Sequence, residues 1–195
     1  MTKFPSFVVL VATLCAFAYA PLATLAGAAA VPDDEARPDE PMRGEFSLDA
    51  AVAYLDQMAL SWQRDRKCFA CHSDYSYLES RPLLSWKTPV HDELRTRLEE
   101  LAAKPRQVRF RVMEGVMAAC VLAQNDALTT GKLHPVTRQA LDTMWTLQRA
   151  DGGFDWEKSQ QPPSEIDDHF GATMALIGAG VAPDGYAATP AAKAG

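Results

Sequence analysis

Apolar residues recur along this chain at intervals of three and four, the period of a helix with one buried face. Nowhere do they alternate at every second position for the length of a strand, so a sheet is not expected. Ser47 is a good N-cap and Asp49 just inside it suits the helix dipole. Ala51, Leu55, Met58, Ala59 and Trp62 then mark the inward face of a first helix. It should stop near Asp65, where Arg64, Arg66 and Lys67 crowd the C-terminal end. A short stretch containing Tyr and Leu follows, ending at Arg81-Pro82. Thr88-Pro89 opens a second helix with proline in its first turn, and Val90, Leu94, Leu98 and Leu101 form its stripe. After Pro105 comes a longer helix with Val108, Val112, Val116, Ala119, Cys120 and Ala123 facing inward. His134-Pro135 begins another, with Leu141, Met144, Trp145 and Leu147 as core. Beyond a Gly152-Gly153 loop, a last clear helix runs from about Asp167 through Phe170, Met174 and Ile177 and ends at Gly178 to Gly180. The expected fold class is all-α, with about six helices.

The two ends read differently. Lys3, an apolar run from Phe7 to Ala20 and the small residues Ala28-Ala29-Ala30 have the order of a secretory signal peptide over 1–30. A retained membrane anchor is the rival reading, but Pro21 and the small residues after it favour cleavage. The acidic, Pro-rich segment 31–45 reads as a disordered leader, and 46–195 as one helical domain interrupted by a short insertion at 68–72. At the far end, Thr189-Pro190 carries the same start signal as Thr88-Pro89, which reads as a helix opening in a longer protein.

Composition narrows the functional classes. A formal net charge of −6 provides no basic stripe for nucleic acid. Of four cysteines, Cys15 falls in the signal segment, leaving Cys68, Cys71 and Cys120. An odd number rules out a closed disulfide framework. Cys120, in an apolar helix, reads as a small buried hydrophobe.

The sharpest motif is Cys68-Phe69-Ala70-Cys71-His72. Two thiols at this spacing reach the two vinyl groups of one porphyrin, and a histidine directly after the second reaches the iron, the pattern of covalent c-type haem. Export agrees with it, because bacterial thioether attachment takes place outside the cytoplasm. Cys68, Cys71 and His72 are therefore the candidate haem site, with His72 on the iron. Two other readings use the same residues. A zinc site would need a fourth ligand, and no second CxxC or HxxxH follows. A CxxC redox pair or disulfide would lack the strand–helix setting of thioredoxin-like sites. Candidates for a second axial ligand are His91, His134, His169, Met58, Met113, Met117 and Met144, and none stands out. Arg64, Arg66, Lys67 and Arg81 are candidates for neutralising the propionates, or simply a solvated helix end.

A second pattern carries a family likeness. Gln148-Arg149-Ala150-Asp151-Gly152-Gly153-Phe154-Asp155-Trp156 resembles the QW motif of squalene–hopene cyclases and related prenyltransferase-like helical toroids, with Phe154 where Trp is usual. Pro162-Pro163-Ser164-Glu165, with Asp168-His169 after it, looks like the segment following that motif in the cyclases. Gln57 to Trp62 resembles a degraded earlier copy without its glycine. The likeness covers about fifty residues, 140–190. Together with CxxCH it resembles a group of exported bacterial squalene-cyclase-like proteins. It implies a toroid of helical hairpins in which a Gln at a helix end ties to the Gly-aromatic loop, here partial or truncated because so few helices are present. The cyclases use an Asp-rich acid segment. Glu165-Ile166-Asp167-Asp168 looks superficially like it, but its neighbours match the Pro-Pro-Ser-Glu segment better, so these carboxylates read as helix N-terminal groups favoured by the dipole, and Asp167 and Asp168 stay weak catalytic candidates.

The leading expectation is an exported, periplasmic or secreted, c-type haem protein on a cyclase-like scaffold. It would exchange electrons with a redox partner protein or bind a small ligand at the iron. A terpenoid-cyclase-like enzyme with a structural CxxCH segment is the second reading, and a zinc-clipped helical interaction module the third.

Overall fold

Ser47 starts the first helix as its side chain predicts: Oγ accepts from the amide of Ala50 at 3.3 Å, and α1 runs Leu48–Arg66. The computed structural model describes residues 44–67, 69, 71–84, 87–104, 110–156 and 168–195. The expected signal peptide, most of the leader, Cys68, Val108 and the Pro162–Glu165 segment lie outside them. After α1 come a single π-helical turn, Cys71–Tyr75, and a short helix α2, Ser76–Ser80. A 3₁₀ turn, Arg81–Leu83, leads on to α3, Pro89–Ala103, which Thr88 caps through the His91 amide at 3.2 Å. The remaining helices are α4, Arg111–Thr129, α5, Pro135–Trp145, α6, Asp168–Val181, and α7, Pro190–Ala194. Among the described residues there is no strand. The fold is all-α.

The organising element is α4. Val116, Ala118, Ala119, Cys120, Val121, Leu122 and Ala123 are all fully buried, and a helix apolar all round belongs at the centre of a bundle. It packs against α3, α5, α6 and α2. Leu94, Leu98 and Leu101 of α3 and Leu141 and Met144 of α5 turn onto it, as their spacing predicts.

Two helices bury a different face from the one expected. In α1, Ala59 and Gln63 are buried while Leu55 and Met58 remain largely exposed. The reason is polar: Asp56, one position round the helix, receives Tyr77 Oη at 2.6 Å and Arg81 Nε at 2.8 Å, and this turns its own face inward. In α6, Ile177 is exposed and the buried residues are Gly171, Ala175, Gly178 and Ala179. A Cβ at Gly178 would lie 2.7 Å from Cys120 Cα, so the backbones of α4 and α6 meet where neither has bulk. Gly178 and Gly180 are thus helical, and α6 continues to Val181 rather than ending at them. Gln57 sits in mid-helix in α1, so Gln57–Trp62 is no second copy of a helix-end clamp. Among the described residues, no helix is long and apolar enough to cross a membrane.

Candidate functional site

The chain enters the CxxCH segment through a sharp turn at Lys67. Its φ of 50° and ψ of 38° are left-handed, and its amide closes α1 by donating to the Gln63 carbonyl at 2.8 Å. Only glycine adopts this conformation without steric cost. Lys67→Gly is expected to raise stability by a few tenths to about 1 kcal/mol, the backbone relief being partly offset by glycine's freedom in the unfolded chain, as urea unfolding would measure.

Beyond the turn, Cys71 and His72 begin the π-helical turn, an arrangement that concentrates at functional sites. This turn is anchored in the core. Asp74 and Tyr75, which close it, are buried, as are Tyr77 and Leu78 of α2. Phe69, between the two cysteines, packs its ring on Tyr75 with centroids 5.6 Å apart.

Phe69 also lines a cleft between the end of α1 and the last turns of α3. The cleft holds about 740 Å³, inside the range of roughly 300–1,000 Å³ usual for small-molecule and cofactor sites. Phe69 gives it an apolar surface, and Leu101, almost wholly buried, lines it from the core side. Gln63, Arg64, Lys67, Arg97, Glu100 and Lys104 surround them. Arg64 is held by Glu93 through two hydrogen bonds of 3.0 and 2.7 Å. Arg97 pairs with Glu100 at 3.0 Å on the exposed side of α3.

Of the four cations expected near the motif, two line this cleft, Arg64 and Lys67. Arg66 instead lies over the Trp62 ring, 5.2 Å from its centroid. Arg81 is buried and bound to Asp56. Burial alone would raise the Asp56 pKa, but hydrogen bonds from Arg81 and Tyr77 outweigh it and hold the carboxyl below its ordinary value. Arg97 and Lys104, fifteen and more residues past Arg81 in the sequence, were not singled out by their spacing. Each lies about one helical turn from Leu101, which lines the cleft, and that proximity was the only available signal.

None of the seven candidates for a second axial ligand is among the cleft's lining residues. Met117 and Met144 are buried core and Met58 is on the outer side of α1. His169 is exposed. His134 precedes α5, and its Nδ1 lies 3.1 Å from Asp126 Oδ1 and 2.7 Å from Arg95 Nη2.

His91 is buried in a network that fixes its tautomer. Arg95 can only donate, so the oxygen of the Asn125 amide faces it, Nη1 to Oδ1 at 2.7 Å. The Asn125 nitrogen then donates to the Leu78 carbonyl at 2.8 Å and to His91 Nε2 at 3.0 Å. Nε2 is thus an acceptor, and the ring is neutral. Burial lowers the His91 pKa, Asp92 opposes this, and the cations of Arg95 and Arg81 reinforce it. Only a protonated ring would act on Asp56 of α1 through its charge. A histidine whose folded pKa is depressed contributes stability above its unfolded pKa of about 6.5 and loses it as pH falls toward the folded value. Stability is therefore expected to fall below about pH 6.5, and His91→Gln, which keeps an acceptor for Asn125, should flatten that part of the curve in urea midpoints measured from pH 7.5 down to 4.5.

At the Gly-rich loop, Gln148 Nε2 donates to the Gly152 carbonyl at 3.0 Å, and Gln148 and Phe154 form an isolated antiparallel bridge. Phe154 is fully buried. Of the weak catalytic candidates, Asp167 lies outside the described residues. Asp168, in the first turn of α6, is ion-paired to Arg149 at 2.6 Å, and Arg149 also binds Asp151 and Asp155. That is the chemistry of a loop tie. Cys120 is buried and free, its thiol pushed up to about 12 by burial, and so is unreactive.

No family model, curated protein or solved structure matches this chain.

Proposed function

We propose that this is an exported c-type haem protein on a squalene-cyclase-like helical scaffold, with haem attached through Cys68 and Cys71 and its iron held by His72. The observation that carries the reading is the cleft beside the motif. Its apolar residues, Phe69 and Leu101, suit a porphyrin face, and its cations suit carboxylates at the porphyrin edge. When bound, the haem supplies one-electron exchange or a site for a small ligand. The chain's own part is to hold and orient. Lys67 turns the segment out of α1, Phe69 covers the cleft wall, and the buried residues of the π-helical turn and α2 anchor the histidine end. A periplasmic or secreted location follows from the N-terminal signal pattern, and a redox partner protein from the electron-transfer reading. The Gln148–Gly152 tie supports the cyclase-like likeness, and a partial toroid is the architecture we propose on that basis. The Arg149 pairing of Asp168 favours the haem reading over a cyclase acid.

The test is to purify the mature chain from cells with working cytochrome maturation. A red protein whose haem survives acid-acetone extraction and gives a c-type pyridine haemochrome is expected, with the covalent pigment lost in Cys68→Ala/Cys71→Ala. A colourless wild-type chain overturns the proposal. Zinc without a Soret band would then favour the metal clip, and turnover of a polyprenyl substrate the cyclase-like enzyme.

A further inference from the structure

We infer that the cleft recognises the porphyrin by its two carboxylates, with Lys67, Arg97 and Lys104 as the clamp, so that binding does not depend on the thioethers. This rests on the haem reading for the identity of the ligand, but on different residues.

The argument is one of charge and availability. The chain as a whole is acidic, at −6, yet this cleft gathers Arg64, Lys67, Arg97 and Lys104. Against them stand Glu100 in the lining and Glu93 behind Arg64, which leaves two positive charges uncompensated. Two is the number of propionates on a protoporphyrin. The cations differ in how free they are. The guanidinium of Arg64 is occupied in its two-bonded pairing with Glu93. Lys67 and Lys104 have no ion-pair partner among the described residues. Arg97 is paired with Glu100, but both side chains are about half exposed, and such pairs exchange at little cost. The free and exchangeable cations thus come from the turn before the motif and from the end of α3 with its C-cap residue. An inorganic anion would use these charges but not the ring of Phe69 or the side chain of Leu101. An amphipathic dicarboxylate with a flat apolar body uses both.

The experiment takes the Cys68→Ala/Cys71→Ala protein, with His72 kept, and titrates it with iron protoporphyrin and with its dimethyl ester, following the Soret band. The free acid is expected to bind, and the ester at least about tenfold more weakly, the combined effect of several screened charge pairs. Adding Lys67→Gln/Arg97→Gln/Lys104→Gln should reproduce the loss, while Lys132→Gln, away from the cleft, should not. Equal affinities for acid and ester overturn the inference. A red wild type with equal affinities leaves the haem proposal standing alone. A colourless wild type with preference for the acid leaves a non-covalent porphyrin site standing without it. Should the double cysteine variant lose its helical circular dichroism, the triple substitution in the mature coloured protein decides. Removing positive charge near the haem should lower its reduction potential, and an unchanged potential overturns the clamp.

Discussion

Replacing Asp126 with alanine is expected to lower the unfolding free energy by about 3–5 kcal/mol, the range for breaking a buried ion pair from one side. Asp126 is completely buried on α4. Its Oδ1 lies 2.6 Å from Arg95 Nη2 of α3, and its Oδ2 accepts the backbone amide of His134 at 2.8 Å, where α5 begins. One carboxylate therefore ties three helices. Its loss leaves Arg95, itself only slightly exposed, with Glu99 as its one remaining carboxylate beside Asn125, His134 and Thr137. It also leaves the His134 amide without its acceptor. Arg95→Met/Asp126→Leu should recover much of the loss, because an apolar pair of similar size carries no uncompensated charge. Urea unfolding by circular dichroism measures both. A single-variant loss below about 1 kcal/mol would mean that the network is incidental to the packing of α3 on α4. The effect bears on the proposed site, since α3 carries Arg97 and Leu101 and is capped at its C-terminus by Lys104.

The helices were legible in the sequence where local chemistry and packing agree. Ser47, Thr88 and Thr189 cap the helices their positions predict, because an N-cap bond is made within three residues and needs no partner elsewhere. The stripe Leu94, Leu98, Leu101 is buried as read, since α3 has no competing polar demand on that side. Rotation was harder to read. Which face of α1 turns inward is decided by Asp56 meeting Arg81 and Tyr77, residues more than twenty positions away. Hydrophobic period alone favoured Leu55 and Met58 over it. In α6 the decisive fact is a backbone approach to Cys120, and glycine as packing surface is indistinguishable in sequence from glycine as helix terminator.

The candidate site divides in the same way. CxxCH is a local pattern and announces itself. The cations facing the cleft do not, because Arg97 and Lys104 sit among other charges on a solvated helix and acquire meaning only from what lies opposite. Arg66 and Arg81, nearer in sequence to the motif, are committed elsewhere, to Trp62 and to Asp56. Adjacency in sequence was right for Arg64 and Lys67 and wrong for Arg66 and Arg81, and helical phase relative to Leu101 was the guide to Arg97 and Lys104.

Phe154→Ala is expected to cost about 3–5 kcal/mol, the usual range for emptying a buried phenylalanine site. Phe154 is fully buried at the end of the Gly152-Gly153 loop, and its surroundings have little room to collapse. A Cβ placed on Gly171 of α6 would lie 3.2 Å from Phe154 Cβ and 2.6 Å from Trp156 Cε3, so α6 is already as close as its backbone permits. The loop is held from the other side by the Arg149 amide donating to the Gly153 carbonyl at 2.8 Å and by Gln148 on Gly152. The cavity would therefore persist. Gln148→Ala removes two exposed hydrogen bonds, to the Gly152 and Gly195 carbonyls, both of which water can replace, and should cost only about 0.5–1.5 kcal/mol. Phe154→Trp, which introduces the residue usual in the resembled motif, should also destabilise, by about 1–3 kcal/mol, because the enlarged ring has nowhere to go while Trp156 occupies the space beside Gly171. Thermal or urea unfolding of the three variants orders them. If Gln148→Ala cost more than Phe154→Ala, the loop would be a hydrogen-bonded clamp first and a packing element second, and the ring of Phe154 would not be what joins it to α6.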